Sequence, residues 1–125
     1  MALKIIFMGT PNFAVPILKA IHKSDHKILE VYTQPPKKKD RGQKIQNSPV
    51  HNFAKKKNIK VRLPNLLDKQ DEIDHIRILN PDIIIVAAYG KILPTNLLDM
   101  NSILFLNVHA SLLPRWRGAA PIQRA

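Results

Sequence analysis

Ile83-Ile84-Ile85-Val86-Ala87-Ala88 is the most apolar stretch of this 125-residue chain. It contains no charged or polar residue, and four of its six residues are β-branched. Such a run is typical of a strand that is covered on both faces of a parallel sheet. Pro81 stands before the run and Tyr89-Gly90 follows it, which marks both of its ends. We therefore predict a central strand here.

Similar patterns elsewhere in the chain predict the rest of the fold. Strands are expected at residues 3–8, 28–32, 59–63 and 103–109. Helical spacing of apolar residues lies between them, in a first helix capped by Asn12 and ending near His22, and in residues 49–57, 70–79 and 94–100. This alternation indicates an α/β, Rossmann-like fold with a mostly parallel sheet and helices on both faces. Ligands of such sheets bind outside the carboxyl ends of the strands.

Residues 33–49 interrupt this alternation with three prolines, one glycine, charges and amides, and they predict a long loop. The chain has a formal net charge of +11, and residues 33–64 hold +9 of it. A segment this basic favours contact with the phosphate backbone of a nucleic acid. The alternative is a solvated basic face with no such partner.

Composition excludes several classes of protein. The absence of cysteine excludes a disulfide scaffold and any Cys-ligated metal site. No apolar run approaches the roughly 18 residues of a membrane helix, and the N-terminus lacks a secretory signal pattern, so a soluble cytoplasmic protein is expected. No metal site is expected, because His22 and His26 have no carboxylate arranged beside them. His51 and His75 are expected on solvated helix faces.

Asn107 and His109 are the strongest candidates for chemistry. They stand at positions i and i+2 at the end of an apolar strand, so both side chains are expected on one face. An amide donor beside an imidazole suits a carbonyl carbon that becomes tetrahedral. The alternative is a structural Asn–His pair at a strand end. Gly9-Thr10-Pro11, in contrast, lacks the glycine spacing of a nucleotide-binding loop and predicts a tight turn.

Longer motifs extend these observations across the whole chain. They are Phe7-Met-Gly-Thr-Pro-Asn-Phe-Ala-Val-Pro16, Thr33-Gln-Pro35, Arg41-Gly42, Ser48-Pro-Val50, Ala88-Tyr-Gly-Lys-Ile-Leu-Pro94 and Asn107-Val-His-Ala-Ser-Leu-Leu-Pro-Arg-Trp-Arg-Gly-Ala-Ala-Pro-Ile-Gln-Arg124. Together they closely resemble the N-terminal part of the folate-dependent domain of the methionyl-tRNA formyltransferase family. The Asn-x-His and Ser-Leu-Leu-Pro elements alone are shared with glycinamide-ribonucleotide and sugar-amine formyltransferases.

The resemblance implies transfer of a formyl group from 10-formyltetrahydrofolate to the amino group of initiator methionyl-tRNA, a step of translation initiation. Asn107 would hold the oxyanion, and His109 would polarise the carbonyl or assist proton movement. The resemblance also implies a folate site and a tRNA site. The folate site would be formed by Ser111, Leu112, Leu113, Pro114, Tyr89, Gly90, Ile92 and Leu93. The tRNA contacts would be made by Lys37, Lys38, Lys39, Arg41 and Lys44.

One departure from the family pattern concerns the third catalytic group, which in the family is an aspartate beyond the Ser-Leu-Leu-Pro segment. The sequence ends at Ala125, ahead of that position and of the family's C-terminal β-barrel. Residues 1–125 are therefore expected to be the N-terminal portion of a formyltransferase domain, cut before its last strands and weakly active or inactive alone. A non-catalytic RNA-binding remnant and another folate-dependent formyltransferase are the alternatives.

Overall fold

The computed structural model describes residues 1–39 and 44–109. The strands are β1 (Lys4–Gly9), β2 (Lys27–Tyr32), β3 (Lys37–Lys39), β4 (Lys44–Gln46), β5 (Val61–Arg62), β6 (Ile83–Ala87) and β7 (Leu104–Asn107). The helices are α1 (Ala14–Lys23), α2 (Pro49–Lys56), α3 (Gln70–Leu79) and α4 (Thr95–Leu98). Within these residues, no helix combines the length and the apolar character that crossing a membrane requires.

Five strands form one parallel sheet in the order β5-β2-β1-β6-β7. The apolar strand β6 lies in its interior, and β1 lies at the centre, where Ile5 pairs with Ile83 and Gly9 pairs with Ala87. The predicted α/β fold with a mostly parallel sheet is thereby confirmed. Because the strands are parallel, the residues that follow β1, β2, β6 and β7 gather at one edge of the sheet.

Helices cover both faces of this sheet. Alternate side chains of β1 point to opposite faces, as the pleat of a strand requires. One face packs against α1 and α2 through a cluster that includes Phe7, Leu18 and Val50. The other face packs against α3 and α4 through a cluster that includes Met8 and Ile76. The two apolar clusters explain why β1 and β6 are uninterrupted apolar runs.

Gly9 ends β1 because the backbone passes too close to its neighbours for a larger residue. A Cβ atom built on Gly9 would lie 2.8 Å from the carbonyl oxygen of Ala87 and 2.9 Å from the Cβ atom of Ala14. The first of these is a backbone atom that has no freedom to rotate away. Glycine therefore lets β1, β6 and the start of α1 meet at the carboxyl edge.

The prediction of a long loop over residues 33–49 was wrong in part. β3 and β4 form an antiparallel hairpin in this segment, with Lys37 opposite Gln46, Lys38 opposite Ile45 and Lys39 opposite Lys44. Both strands are only three residues long and consist mainly of lysines and amides, so they lack the apolar alternation by which strands are recognised. The five-residue strand predicted at 59–63 is also shorter, with pairing only in β5.

The prediction that Asn12 caps the first helix was also wrong. The N-cap of α1 is Phe13, which makes no side-chain capping bond. A tight turn precedes the helix, in which the Ala14 amide donates to the Pro11 carbonyl at 2.9 Å and the Val15 amide donates to the Asn12 carbonyl at 3.1 Å. Backbone carbonyls thus satisfy amides that a capping side chain would otherwise bind.

His75 is not a solvated helix residue as predicted. Its Nε2 atom lies 2.8 Å from Oε1 of Glu30, a strand residue whose side chain is only 3% exposed. Arg62 approaches the same carboxylate to 4.0 Å and contacts Glu72 at 3.3 Å. These contacts join α3 to the outer strands of the sheet on the side away from α1 and α2.

Candidate active site

The carboxyl edge of the sheet carries the polar residues of the candidate site. Thr10 follows β1, Thr33 and Gln34 follow β2, and Asn107 is the last residue of β7. Of these residues, Thr10, Gln34 and Asn107 line two cavities at this edge. We call them the strand-end cavity, between the ends of β6 and β7, and the hairpin cavity, between the end of β2 and the β3–β4 hairpin.

The strand-end cavity has a volume of about 310 Å³. The Val108 amide donates to the Val86 carbonyl at 2.8 Å, so the two chains stay paired just beyond β7. This pairing places Asn107 and His109 beside the turn that follows β6. The lining residues are Phe13, Val86, Ala88, Tyr89, Gly90, Lys91, Asn107, Val108 and His109.

The chemical groups of the strand-end cavity are an amide, an imidazole and an ammonium beside apolar walls. The side-chain amide of Asn107 can donate a hydrogen bond, and the imidazole of His109 can donate or accept one. Both residues are exposed and therefore accessible to a ligand. An amide and an imidazole that share one cavity can stabilise an oxyanion and assist a proton transfer.

Tyr89 contributes in a different way. Its side chain is buried in the apolar cluster on the α3 side of the sheet. Burial, and to a lesser degree the negative charge of Glu72, raises the pKa of the Tyr89 phenol above its ordinary value. The buried side chain anchors the turn, and Tyr89 is also one of the residues that line the strand-end cavity.

The turn at residues 88–90 has a backbone that few residues adopt. Ala88 has φ of 55° and Gly90 has φ of 85°. The carbonyl oxygen of Tyr89 between them accepts two hydrogen bonds, from Thr10 Oγ1 at 2.8 Å and from Gln34 Nε2 at 3.1 Å. The positive φ favours glycine at residue 90, and a Cβ atom there would push the side-chain amide of Gln34 away from its bond to Tyr89.

The hairpin cavity lies on the other side of Thr10 and has a volume of about 220 Å³. It is lined by Thr10, Pro11, Asn12, Gln34, Pro35, Lys37, Gln46, Ser48 and Pro49. Lys37, Lys38 and Lys44 are exposed on the hairpin beside it. Cations thus stand at the mouth of a cavity whose walls are amides, hydroxyls and proline rings.

Ser48 joins the floor of the hairpin cavity to α2. Its Oγ atom caps α2 by accepting from the His51 amide at 3.0 Å, and it lies 2.6 Å from Thr33 Oγ1 in a buried contact. The adjoining side chain of His51 is partly buried. Burial first, and the nearby charge of Lys55 second, hold the pKa of His51 below its ordinary value.

The structure separates some of the predicted folate residues. Asn107, His109, Tyr89 and Gly90 border one cavity, whereas Ile92 is 88% exposed and borders a neighbouring cavity of about 360 Å³ with Leu66 and Pro94. Leu93 packs against the apolar cluster on the α3 side. Ser111, Leu112, Leu113 and Pro114 lie outside the described residues, as does Arg41. Lys39 belongs to β3.

Sequence reasoning did not identify Thr10, Gln34 and Ser48 as site residues. Thr10 and Thr33 are each the first residue after a buried parallel strand, and this position was the available signal. Their contacts with Tyr89 and Ser48 span 79 and 15 residues, and no local pattern records them. In residues 1–39 and 44–109, no three His, Asp or Glu side chains are grouped in a way that would hold a metal ion.

Comparison with known proteins adds to this geometry. A methionyl-tRNA formyltransferase of Pelagibacter ubique is 52% identical over 126 residues, which cover 100% of this chain and 41% of the relative. Those of Paramagnetospirillum magneticum and Coxiella burnetii are each 51% identical, and they cover 98% and 100% of this chain and 40% of each relative. This chain therefore spans about two fifths of the length of these relatives.

The sequence profile of the family described as formyl transferase matches residues 3–125. The match includes β1, both cavities and the turn that carries Tyr89 and Gly90. It confirms the resemblance that the motifs indicated. Since the profile covers almost every residue, the chain belongs to the formyl transferase family.

Proposed function

We propose that this chain takes part in the transfer of a formyl group from 10-formyltetrahydrofolate to the amino group of initiator methionyl-tRNA. The observation that carries the proposal is the placement of Asn107 and His109 in one cavity with the Tyr89–Gly90 turn. Membership of the formyl transferase family and half-identical relatives named methionyl-tRNA formyltransferase support the choice of reaction and substrate. In this proposal residues 1–125 are the N-terminal portion of a formyltransferase domain, without the family's C-terminal β-barrel.

The strand-end cavity suits the reacting end of a folate. Its volume of about 310 Å³ is at the lower end of small-molecule sites, which is enough for a ring system and its formyl group but not for a whole folate. Phe13 and Val86 supply apolar walls, while Asn107 supplies a donor for the formyl oxygen. Bound there, the folate supplies the activated formyl carbon. We propose that Ser111, Leu112, Leu113 and Pro114 complete the site, with Ile92 and Leu93 next to it.

Residues of this chain would then stabilise the charge on the formyl oxygen and move the proton of the attacking amine. The amine nitrogen forms a bond to the formyl carbon, and the bond from that carbon to the folate nitrogen breaks. One proton moves from the amine nitrogen to the folate nitrogen. Asn107 donates to the oxygen as negative charge develops on it. His109 polarises the carbonyl or carries the proton between the two nitrogens. The family's aspartate, beyond residue 125, would be the third group.

The hairpin is proposed as the tRNA contact. Lys37, Lys38, Lys39, Arg41 and Lys44 would neutralise phosphates of the acceptor arm. Thr10 lines the hairpin cavity. It also donates a hydrogen bond to Tyr89, in the turn that borders the strand-end cavity. An acceptor end held by the hairpin would thus stand beside the folate site, and the basic charge and the chemistry of the site would serve one substrate.

Formyl transfer by variants of the full-length protein tests the site assignment. We expect Asn107→Ala to lower kcat by about 10²–10³-fold, the usual effect of removing one oxyanion donor. Asn101→Ala is the matched control, because Asn101 is an exposed asparagine just before the opposite end of β7, and this variant should keep full activity. Equal rates for the two variants would overturn the assignment.

Substrate choice is tested in the same assay. Transfer to methionyl-tRNA but not to glycinamide ribonucleotide or an amino sugar supports the proposal. Transfer to one of those small amines instead would identify another formyltransferase of the family. Binding of tRNA without any transfer by the full-length protein would favour a non-catalytic RNA-binding role for the basic hairpin.

A further inference from the structure

We propose that Thr10 and Gln34 are positioning residues that fix the Tyr89–Gly90 peptide at the edge of the strand-end cavity. In this proposal Thr33 and Ser48 help to hold the Thr10 side chain in place. The inference rests on the proposed function for its catalytic consequence. Its structural basis is a set of hydrogen bonds that cross the ends of three parallel strands.

The two donors leave the Tyr89 carbonyl no freedom to rotate. Thr10 Oγ1 lies 2.8 Å and Gln34 Nε2 lies 3.1 Å from the carbonyl oxygen, so both of its lone pairs are used. The described chain has no cis peptide bond, and the N–H of a trans peptide points opposite to its C=O. Fixing the carbonyl of Tyr89 therefore also fixes the direction of the Gly90 amide, and Gly90 is one of the residues that line the strand-end cavity.

The turn needs such support because of its backbone. Ala88 has a positive φ of 55°, a backbone conformation that L-residues rarely adopt. Gly90, with φ of 85°, has a wide choice of other conformations in the absence of a restraint. Two hydrogen bonds to the peptide that joins Tyr89 to Gly90 oppose both tendencies.

A line of hydroxyl groups leads from Ser48 through Thr33 to Thr10. Thr33 Oγ1 lies 2.6 Å from Ser48 Oγ and 3.5 Å from Thr10 Oγ1. A carbonyl only accepts, so Thr10 must donate to Tyr89 and can only accept from Thr33. Ser48 then donates to Thr33 and accepts from the His51 amide. With this single ordering every hydroxyl proton has an acceptor.

The line of hydroxyl groups connects the two halves of the proposed site. It begins at the N-terminus of α2, just after the β3–β4 hairpin, and it ends at the turn beside Asn107 and His109. The side chain of Gln34 borders the hairpin cavity and also binds the turn. These hydrogen bonds connect the hairpin side of the site directly to the turn of the strand-end cavity.

The test compares Thr10→Val, which keeps the shape of the side chain without its hydroxyl, with Thr10→Ser, which restores the hydroxyl. In NMR spectra of the protein without substrate, we expect Thr10→Val to shift the Tyr89 carbonyl carbon and the Gly90 amide and to broaden them. Thr10→Ser should retain the wild-type signals. Thr95→Val, at the exposed start of helix α4, is the control and should leave both signals unchanged.

Kinetics supply the second readout. We expect Thr10→Val to lower kcat/KM for formyl transfer about tenfold, with recovery in Thr10→Ser. Unchanged Tyr89 and Gly90 signals in a folded Thr10→Val protein would overturn the inference. A protein whose signals shift as expected, but whose wild-type form transfers no formyl group, would contradict the proposed function and leave the positioning of the turn established. If Thr10→Val does not fold, Gln34→Leu tests the second donor in the same two measurements.

Discussion

The Nε2 atom of His75 lies 2.8 Å from Oε1 of Glu30, which stands 45 residues earlier in the chain. The Glu30 side chain is 3% exposed, so its carboxylate has lost nearly all contact with solvent. Lys60 and Arg62 are farther away, at 3.9 and 4.0 Å. The short contact from His75 is therefore the main local compensation for a buried charge.

This difference predicts unequal costs for two neighbouring substitutions. His75→Ala leaves the buried carboxylate without its hydrogen bond and should lower the free energy of unfolding by about 2 kcal/mol. Lys60→Ala removes a side chain that is 69% exposed and should cost less than about 1 kcal/mol. Urea denaturation followed by circular dichroism measures both values. Equal costs would contradict the assignment of His75 as the principal partner of Glu30.

The lowered pKa of His51 predicts a pH dependence of stability. The unfolded chain takes up a proton on this residue near pH 6.5, while the folded chain, in which burial and Lys55 lower the pKa, does so only in more acidic solution. Stability contributed by His51 is therefore present above pH 6.5 and is lost as the pH falls toward the lowered value.

The measurement compares the wild-type protein with His51→Gln, which cannot titrate. Between pH 7.5 and 5, the wild-type protein should lose more stability in urea denaturation than the variant does. An NMR titration should also give a pKa for His51 below 6.5. A value above 6.5, or two parallel stability profiles, would show that burial does not govern this residue.

The environment of Tyr32 predicts that the fold tolerates loss of the Tyr32 hydroxyl. Its hydroxyl is buried and finds no hydrogen-bond partner among residues 1–39 and 44–109. Burial first, and Glu30 second, raise the pKa of the Tyr32 phenol above its ordinary value. Tyr32→Phe removes only an unpaired hydroxyl and should leave the free energy of unfolding unchanged or raise it by up to about 1 kcal/mol.

Tyr32→Ala is the control for packing and should cost about 3–5 kcal/mol, because it leaves a cavity in the cluster that includes Met8 and Ile76. Thermal unfolding of both variants separates the two contributions. A cost above about 2 kcal/mol for Tyr32→Phe would mean that the hydroxyl does form a bond.

The basic hairpin predicts a specific dependence of tRNA binding on salt. Lys37 and Lys44 lie on the same face of the hairpin, since Lys37 pairs with Gln46 and Lys39 pairs with Lys44. If both contact phosphates, replacing them with glutamine should flatten the slope of log K against log salt by about 1.5. Filter binding of methionyl-tRNA at several salt concentrations gives this slope.

The matched control for the hairpin is the double substitution of Lys23 and Lys27, which removes the same charge at the opposite edge of the sheet. It should leave the slope nearly unchanged. An equal effect of the two double variants would indicate attraction to the overall charge of +11 rather than contact by the hairpin.

Most strands of the sheet could be predicted from the sequence because each buried strand is a local run of apolar residues. β1 and β6 are buried on both faces, and this burial requires the uninterrupted apolar residues from which they were recognised. The β3–β4 hairpin was missed for the opposite reason. Its strands are stabilised by backbone pairing and not by an apolar face, so lysines and amides fill them.

The candidate site could be predicted only where its residues are neighbours in sequence. Asn107 and His109 were visible as a pair two residues apart at a strand end. The bonds from Thr10 and Gln34 to Tyr89 join residues 79 and 55 positions apart, and their existence depends on the order of the strands. The partner of His75 was hidden in the same way, because the acceptor of its hydrogen bond lies on another element.

The central place of β1 also affects how the protein is made. Ile5 pairs with Ile83, so a further 78 residues are synthesised after Ile5 before its partner in β6 exists. At about 5–20 residues per second, this delay is roughly 4–16 seconds. During that time, β2 can pair with one edge of β1, while the edge that will pair with β6 has no neighbour. An unpaired edge of an apolar strand is a place where a nascent chain can pair wrongly, so the order of synthesis adds a folding hazard that the finished sheet no longer displays.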